Sequence, residues 1–178
     1  MNNWQIDNLL HSHLKTKNIF TGVYPYDVLP PYKDIIKPSA FIINTDPHYK
    51  RGEHWIAIYF PSHGLPELFD SYGFSILIPE LKTFIGNSAY RYNNKLIQNN
   101  FSSVCGQYCI YFIYCRSIGK SLNSIVNSFS GDKISNDEYV NYAVETIFNI
   151  NLPIYNIPFM TRQISVVLKN SQYFQKNQ

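Results

Sequence analysis

The stretch Gln98-Asn99-Asn100-Phe101-Ser102-Ser103-Val104-Cys105-Gly106-Gln107-Tyr108-Cys109-Ile110-Tyr111-Phe112-Ile113-Tyr114-Cys115 decides the fold. From Tyr108 onward it is apolar around a full helical circumference, which suits a helix enclosed by a domain rather than one lying on its surface. The pattern predicts a buried central helix over 105–118. Cys105 stands on its first turn, where unpaired backbone N–H groups and the positive end of the helix dipole favour thiolate over thiol. Gly106 beside it lets a substrate backbone approach closely. Cys109 and Cys115 fall inside the apolar run and read as core thiols.

Working outward, Ala40-Phe41-Ile42-Ile43-Asn44 and Trp55-Ile56-Ala57-Ile58-Tyr59-Phe60 are short runs, apolar at both alternating positions and bounded by Pro, Gly and Asp. They read as interior strands. Glu67-Leu68-Phe69-Asp70, after the Ser62-His63-Gly64 turn, reads as a strand returning beside the second in a hairpin, and a further strand is expected through 90–98. The proline-rich stretch from Gly22 to Pro38 reads as loop. Trp4, Ile6, Leu9, Leu10 and Leu14 recur at helical spacing after Asn2 and Asn3, predicting an amphipathic helix over 3–17. Two more helices are expected over 121–128 and 136–148. No repeat, low-complexity block or flexible linker divides the chain, so one domain over 1–178 is expected, its sheet region within 40–98 and its last helices and tail over 121–178.

Hydrophobic residues make up 45% of the 178 and charged residues 15%, enough apolar surface to offset chain entropy, which excludes a disordered chain. A net charge of +3 without any basic run lacks the footprint of a dedicated nucleic-acid binder. The longest apolar stretch, Cys109 to Cys115, falls far short of the ~18–20 residues of a membrane span. The N-terminus carries neither the basic nor the apolar segment of a secretion signal, so an intracellular setting is expected. Three cysteines clustered at 105, 109 and 115 do not suit a disulfide framework. Gly119-Lys120-Ser121 has Tyr114 where a phosphate loop needs glycine, and Gly73-Phe74-Ser75-Ile76-Leu77 lacks the second glycine of a nucleophile elbow. His11 and His13 diverge on a helix and no C-x-x-C pair completes a zinc site, so no metal is expected.

What survives is Cys105 with His54 and Asp70. A thiol attacks a carbonyl as thiolate, so it needs an imidazole to take its proton and a carboxylate to orient that imidazole. His54 opens one strand and Asp70 ends its neighbour, so a hairpin brings the two within reach. On spacing alone, Cys105 also reads as a small buried hydrophobe, His54 as a strand cap and Asp70 as a turn former.

Gly52-Glu53-His54-Trp55-Ile56-Ala57, then Leu68-Phe69-Asp70-Ser71-Tyr72-Gly73-Phe74-Ser75, then Gln98 through Cys105-Gly106-Gln107-Tyr108-Cys109 together resemble the adenovirus maturation protease (adenain) group of cysteine proteases. The broader kin are the Ulp1-type proteases that act on SUMO. The resemblance runs from about Phe20 to Phe129 and implies an α+β, papain-like fold: a central mixed sheet packed by helices, with the catalytic residues reordered along the chain as His, Asp, Gln, Cys. It implies Cys105 as nucleophile, His54 as general base, Asp70 as the residue orienting it, and Gln98 as an oxyanion donor together with the Cys105 N–H. Trp55 in these families lies along the substrate cleft; a core aromatic is the other reading of that residue.

The implied function is cleavage of viral or viral-like capsid precursors during virion maturation, through a thioester acyl-enzyme. No cofactor or metal is required for that chemistry. The Asn-, Ile- and Tyr-rich composition suits an A/T-rich genome such as that of a virophage or Polinton-like element, with the protein in host cytoplasm or a viral factory and packaged in the virion. The rivals are removal of a ubiquitin-like modifier and a noncatalytic scaffold of the same fold. Adenain is stimulated by a disulfide-linked peptide and by DNA. This chain has no cysteine before Cys105, so a covalent activating peptide at the family position is not expected, whereas noncovalent strand addition to a sheet edge needs no thiol. Lys50, Arg51, Arg162, Lys169 and Lys176 are the candidates for weak DNA contact, solvated surface charge being the plainer reading. A monomer is expected.

Overall fold

Strand alternation sets the architecture of the protein. Its structure, a computed structural model, describes residues 1–86 and 89–150. Among these, five strands form one mixed sheet in the order β1 (Phe20–Pro25), β2 (Ser39–Asn44), β3 (Trp55–Phe60), β4 (Glu67–Phe69) and β5 (Arg91–Tyr92). The β2–β3 and β3–β4 pairs are antiparallel, the outer two parallel. Successive side chains of a strand point to opposite faces. Ala40, Ile42, Ala57, Tyr59 and Phe69 therefore join one apolar cluster, and Phe41, Ile43, Ile56, Ile58, Phe60 and Leu68 another. Both faces are covered, as the two-sided apolar runs require.

The first cluster is closed by α1 (Asn3–Ser12), α3 (Cys105–Ser117), α4 (Leu122–Asn127) and α5 (Lys133–Ile147). Every residue of α3 from Tyr108 to Cys115 is buried, and Phe112 stacks nearly parallel on Phe69 of β4 with ring centroids 4.7 Å apart. Full burial of such an apolar side chain contributes roughly 1.5–3 kcal/mol. The second cluster is closed by α2 (Pro79–Phe84), whose Phe84 meets Phe41 edge-on at 5.1 Å. The expected α+β class and enclosed central helix are therefore present. No helix among the described residues is long and apolar enough to cross a membrane.

Several boundaries differ from those the sequence predicts. The N-terminal helix ends at Ser12, well short of residue 17. Asn2 and Gln5 cap it reciprocally, each bond 2.9 Å, and Ile6 and Leu10 are buried. The buried Thr16 hydroxyl then donates to the Leu10 carbonyl, occupying the acceptor that the Leu14 N–H would need. The Phe20 N–H returns to the Thr16 carbonyl at 2.9 Å, and Leu14 is left exposed. The stretch from Gly22 is not loop throughout, because β1 continues to Pro25; an edge strand has no outer partner to lose to a proline. The strand expected over 90–98 is only Arg91–Tyr92, and β4 stops at Phe69. The last described helix begins at Lys133, because Asp132 accepts from the N–H groups of Ile134 (3.0 Å) and Ser135 (3.4 Å). The central helix ends at Ser117 and α4 follows its cap Ser121. The tail from 151, with Arg162, Lys169 and Lys176, lies outside the described residues.

Candidate active site

His54 precedes β3 and Asp70 follows β4, and the antiparallel register that sets Ala57 opposite Phe69 brings both to one end of the sheet. The Thr45 N–H donates to the His54 carbonyl at 2.9 Å, extending the β2–β3 ladder past Trp55 and fixing the histidine's backbone. Helix α3 packs against β3 and delivers Cys105 to the same end on its first turn. No side chain caps that helix start, so its dipole faces the sulfur undiminished.

His54 Nε2 lies 2.8 Å from Asp70 Oδ1, and the ring shares a hydrogen bond with the Cys105 thiol. With Nε2 engaged by Asp70, Nδ1 is the nitrogen left for the sulfur. The Asp70 and Cys105 side chains are buried and His54 is nearly so. Tyr72 stacks over the imidazole at 4.8 Å with a 28° tilt, closing one ring face. The backbone N–H groups of Trp55 and Gly106 point at the sulfur. One helical turn on, the Cys109 thiol donates to the Trp55 carbonyl at 3.3 Å, so the first residue of β3 is tied to both cysteines.

Burial alone would push the imidazole down, but hydrogen bonds to Asp70 and Cys105 and the charges of both outweigh it and raise His54 to about 9. Burial likewise pushes the Cys105 thiol up, and the His54 hydrogen bond, the two backbone donors and the imidazolium charge reverse this, leaving it below the ordinary thiol range. The two shifts thus both favour the thiolate–imidazolium pair over the neutral one. Cys109 is raised well above the usual range by burial, and Cys115 is pushed up to about 12. Iodoacetamide at pH 7 is therefore expected to alkylate Cys105 faster than a free thiol, which is only a few per cent ionised there. Peptide mapping should find Cys109 and Cys115 unmodified in the folded protein. Equal labelling of all three would mean that no ion pair forms.

Asp70 is followed by a tight turn that locks the acid and Gln98 into one hydrogen-bonded unit. Asp70 Oδ1 accepts the Tyr72 N–H at 2.9 Å, and the Gly73 N–H closes the turn on the Asp70 carbonyl at 2.8 Å. Gly73 has φ +76°, and a β-carbon there would fall 2.7 Å from the Lys95 backbone, so only glycine fits. The Ser71 carbonyl accepts the N–H groups of Ile97 (2.9 Å) and Gln98 (3.2 Å), while the Ser71 hydroxyl donates to Gln98 Oε1 at 2.6 Å. That last bond fixes which way the fully buried amide faces: Nε2 turns to the loop leading into Cys105, where it donates to the Ser102 carbonyl at 3.0 Å. From α5, Asn136 Nδ2 donates to the Ile97 carbonyl at 3.0 Å and Asp137 Oδ1 accepts the Asn99 N–H at 3.3 Å. Gln98 is thereby held on both flanks.

The structure thus brings together His54, Asp70 and Cys105, with Gln98 on the adjoining loop. Trp55 is half-buried, its indole N–H donating to Asn3 Oδ1 at 3.1 Å. Gly106 is buried, and a β-carbon there would lie 3.2 Å from Ile6 and 3.9 Å from Trp55, so its small size serves the docking of α1 on α3. Outside the site, His48 pairs with Asp27 at 2.7 Å and Lys50 with Asp46 at 3.7 Å. Sequence reasoning gave no role to Tyr72, Ser71, Asn93, Asn136 or Asp137. Tyr72 and Ser71 stand in the turn beside the acid; Asn93, Asn136 and Asp137 contact backbone across the fold and leave no local pattern.

No family model matches the chain. It is similar to the protease of snake adenovirus serotype 1, 31% identical over 113 residues that cover 52% of this chain and 55% of that protein. The protease of ovine adenovirus D serotype 7 (isolate OAV287) is 28% identical over 127 residues, 62% of each. The chain therefore spans little more than half the length of these curated relatives. Among solved structures, the ASFV pS273R protease shares the fold with a TM-score of 0.57 and 16% identity, over 85% of this chain and 67% of that one.

Proposed function

We propose, for a chain adenain-like in sequence and carrying a viral protease fold, that it is a cysteine endopeptidase cleaving viral or viral-like capsid precursors as a virion matures. The observation that carries this reading is the chain of hydrogen bonds from Asp70 through His54 to Cys105, with the thiol lowered and the imidazole raised. The Cys105 thiolate attacks the scissile carbonyl, forming a C–S bond while the carbonyl electron pair moves to oxygen. The Cys105 N–H and the Gln98 amide receive that oxyanion, which asks Nε2 to give up or share its Ser102 acceptor. His54 delivers its proton to the departing amine, leaving a thioester. Neutral His54 then takes a proton from water, whose hydroxide releases the acid and restores the thiolate. Asp70 keeps the ring aimed through both steps. Thiolate attack needs no metal or cofactor.

Co-expression with capsid precursors of adenovirus type, followed by mass spectrometry of their termini, tests the reading. New termini that appear with the wild-type chain and vanish with Cys105→Ala are expected. Reaction of Cys105 with probes ending in a ubiquitin-like modifier's C-terminus, with no cut in any precursor, would instead point to modifier removal. Reaction with neither would leave a noncatalytic scaffold.

A further inference from the structure

We propose that Asn93 is a positioning residue of this site: its side-chain amide grips both backbone groups of Asp70 and so holds the carboxylate against His54. The proposal rests on the protease reading, but its first readout does not need a cleaved peptide. Strand β5 pairs with β4 only at Glu67–Arg91 and Leu68–Tyr92. Past that point the main chain leaves the sheet, and the Asn93 side chain takes over the pairing. Its Oδ1 accepts the Asp70 N–H at 2.9 Å and its Nδ2 donates to the Asp70 carbonyl at 2.6 Å, with a longer 3.4 Å bond to the Lys95 carbonyl.

A side-chain amide offers a donor and an acceptor at the spacing of a peptide group, and so can stand in for one. An aspartate in its place would lack the donor, and a serine would be too short to bridge both groups. Asn93 is only 4% exposed, so water is a poor substitute. This bridge is also why the strand expected over 90–98 ends at Tyr92. Asp70 lies one residue beyond the end of β4, where no ladder restrains it. The turn that follows holds the Asp70 carboxylate through the Tyr72 N–H and its carbonyl through the Gly73 N–H, so among the described residues the Asp70 N–H is left to Asn93, whose grip on both backbone groups completes the restraint that sets Oδ1 against His54.

The groups facing the His54 ring are Asp70 from the end of β4, Cys105 from α3 and Tyr72 from the following turn. Asp70 favours the imidazolium, and the imidazolium favours the thiolate. Loosening Asp70 therefore lowers the alkaline limit of the ion pair, where the imidazolium loses its proton.

The experiment compares Asn93→Ala with Thr16→Val, which removes another buried side-chain bond to backbone, in the turn after α1. In Asn93→Ala the upper midpoint of the Cys105 alkylation profile, where the imidazolium loses its proton, should move down by about one pH unit, and the alkaline limb of kcat/KM should move down with it. On a peptide substrate kcat should fall about 10-fold with KM unchanged, the size of a one-unit change in one group's ionisation free energy. Thr16→Val should lower the melting temperature and move neither midpoint. Should Asn93→Ala not fold, Asn93→Ser, which retains a hydroxyl, carries the same comparison with a smaller shift. A folded Asn93 variant whose alkylation midpoint matches wild type overturns the proposal. A shifted midpoint in a protein that cuts no precursor would retain it and reject the capsid reading instead.

Discussion

Cys105→Ala is expected to lower peptide turnover about a million-fold, the scale seen when a nucleophile that works as one unit with its base is removed. No other described thiol can substitute: Cys109 and Cys115 are buried, and both are held in the neutral form near pH 7. The fold should survive the change. Alanine is the best helix former, and it occupies the start of a helix whose enclosure depends on Tyr108 through Cys115. The lost sulfur leaves a small void costing roughly 1 kcal/mol, and the His54–Asp70 pair remains in place. Circular dichroism and melting should resemble wild type while active-site titration with a thiol reagent gives no signal. Turnover within tenfold of wild type would remove Cys105 from the chemistry altogether.

Gln98→Ala should lower kcat by about 10²–10³ with little change in KM, since an oxyanion donor acts in the transition state more than on bound substrate. A structural explanation competes here, because Gln98 is fully buried and bridges Ser71 to Ser102. Deleting it leaves those groups unpaired, at about 1–3 kcal/mol each. Alkylation separates the two effects, because iodoacetamide generates no oxyanion. If Gln98 serves the tetrahedral intermediate, Gln98→Ala keeps fast Cys105 alkylation while peptide cleavage collapses. A parallel loss of both rates would assign Gln98 to scaffolding alone. Gln98→Glu keeps the acceptor for Ser71 but sets a negative oxygen where the donor was, so it should cleave no better than alanine.

The placement of the candidate residues is legible because they fall in three short stretches, each beside the end of an element the apolar pattern already marks. His54 abuts an unmistakable interior strand, Asp70 directly follows the next one, and Cys105 begins a helix with no polar face. What stayed hidden depends on side chains replacing backbone partners over long separations. Asn93 bonds 23 residues back to Asp70, and Asn136 bonds 39 residues back to Ile97. Neither leaves a periodic trace. The apolar spacing overstates the N-terminal helix because Leu14 continues it, whereas the Thr16 hydroxyl ends the helix. Strand β1 was hidden by the prolines that an outer strand tolerates.

The sheet's two apolar layers have a bearing on how such a chain can be handled in the laboratory. His54, Asp70 and Cys105 meet where α3 lies, whereas Phe41, Phe60 and Phe84 interlock behind the strands. That rear layer is a place to weaken the molecule without disturbing its reagents. A shaved ring there offers a conditional allele: intact in cool cells, lost in warm ones, with its chemistry unaltered for as long as it holds together.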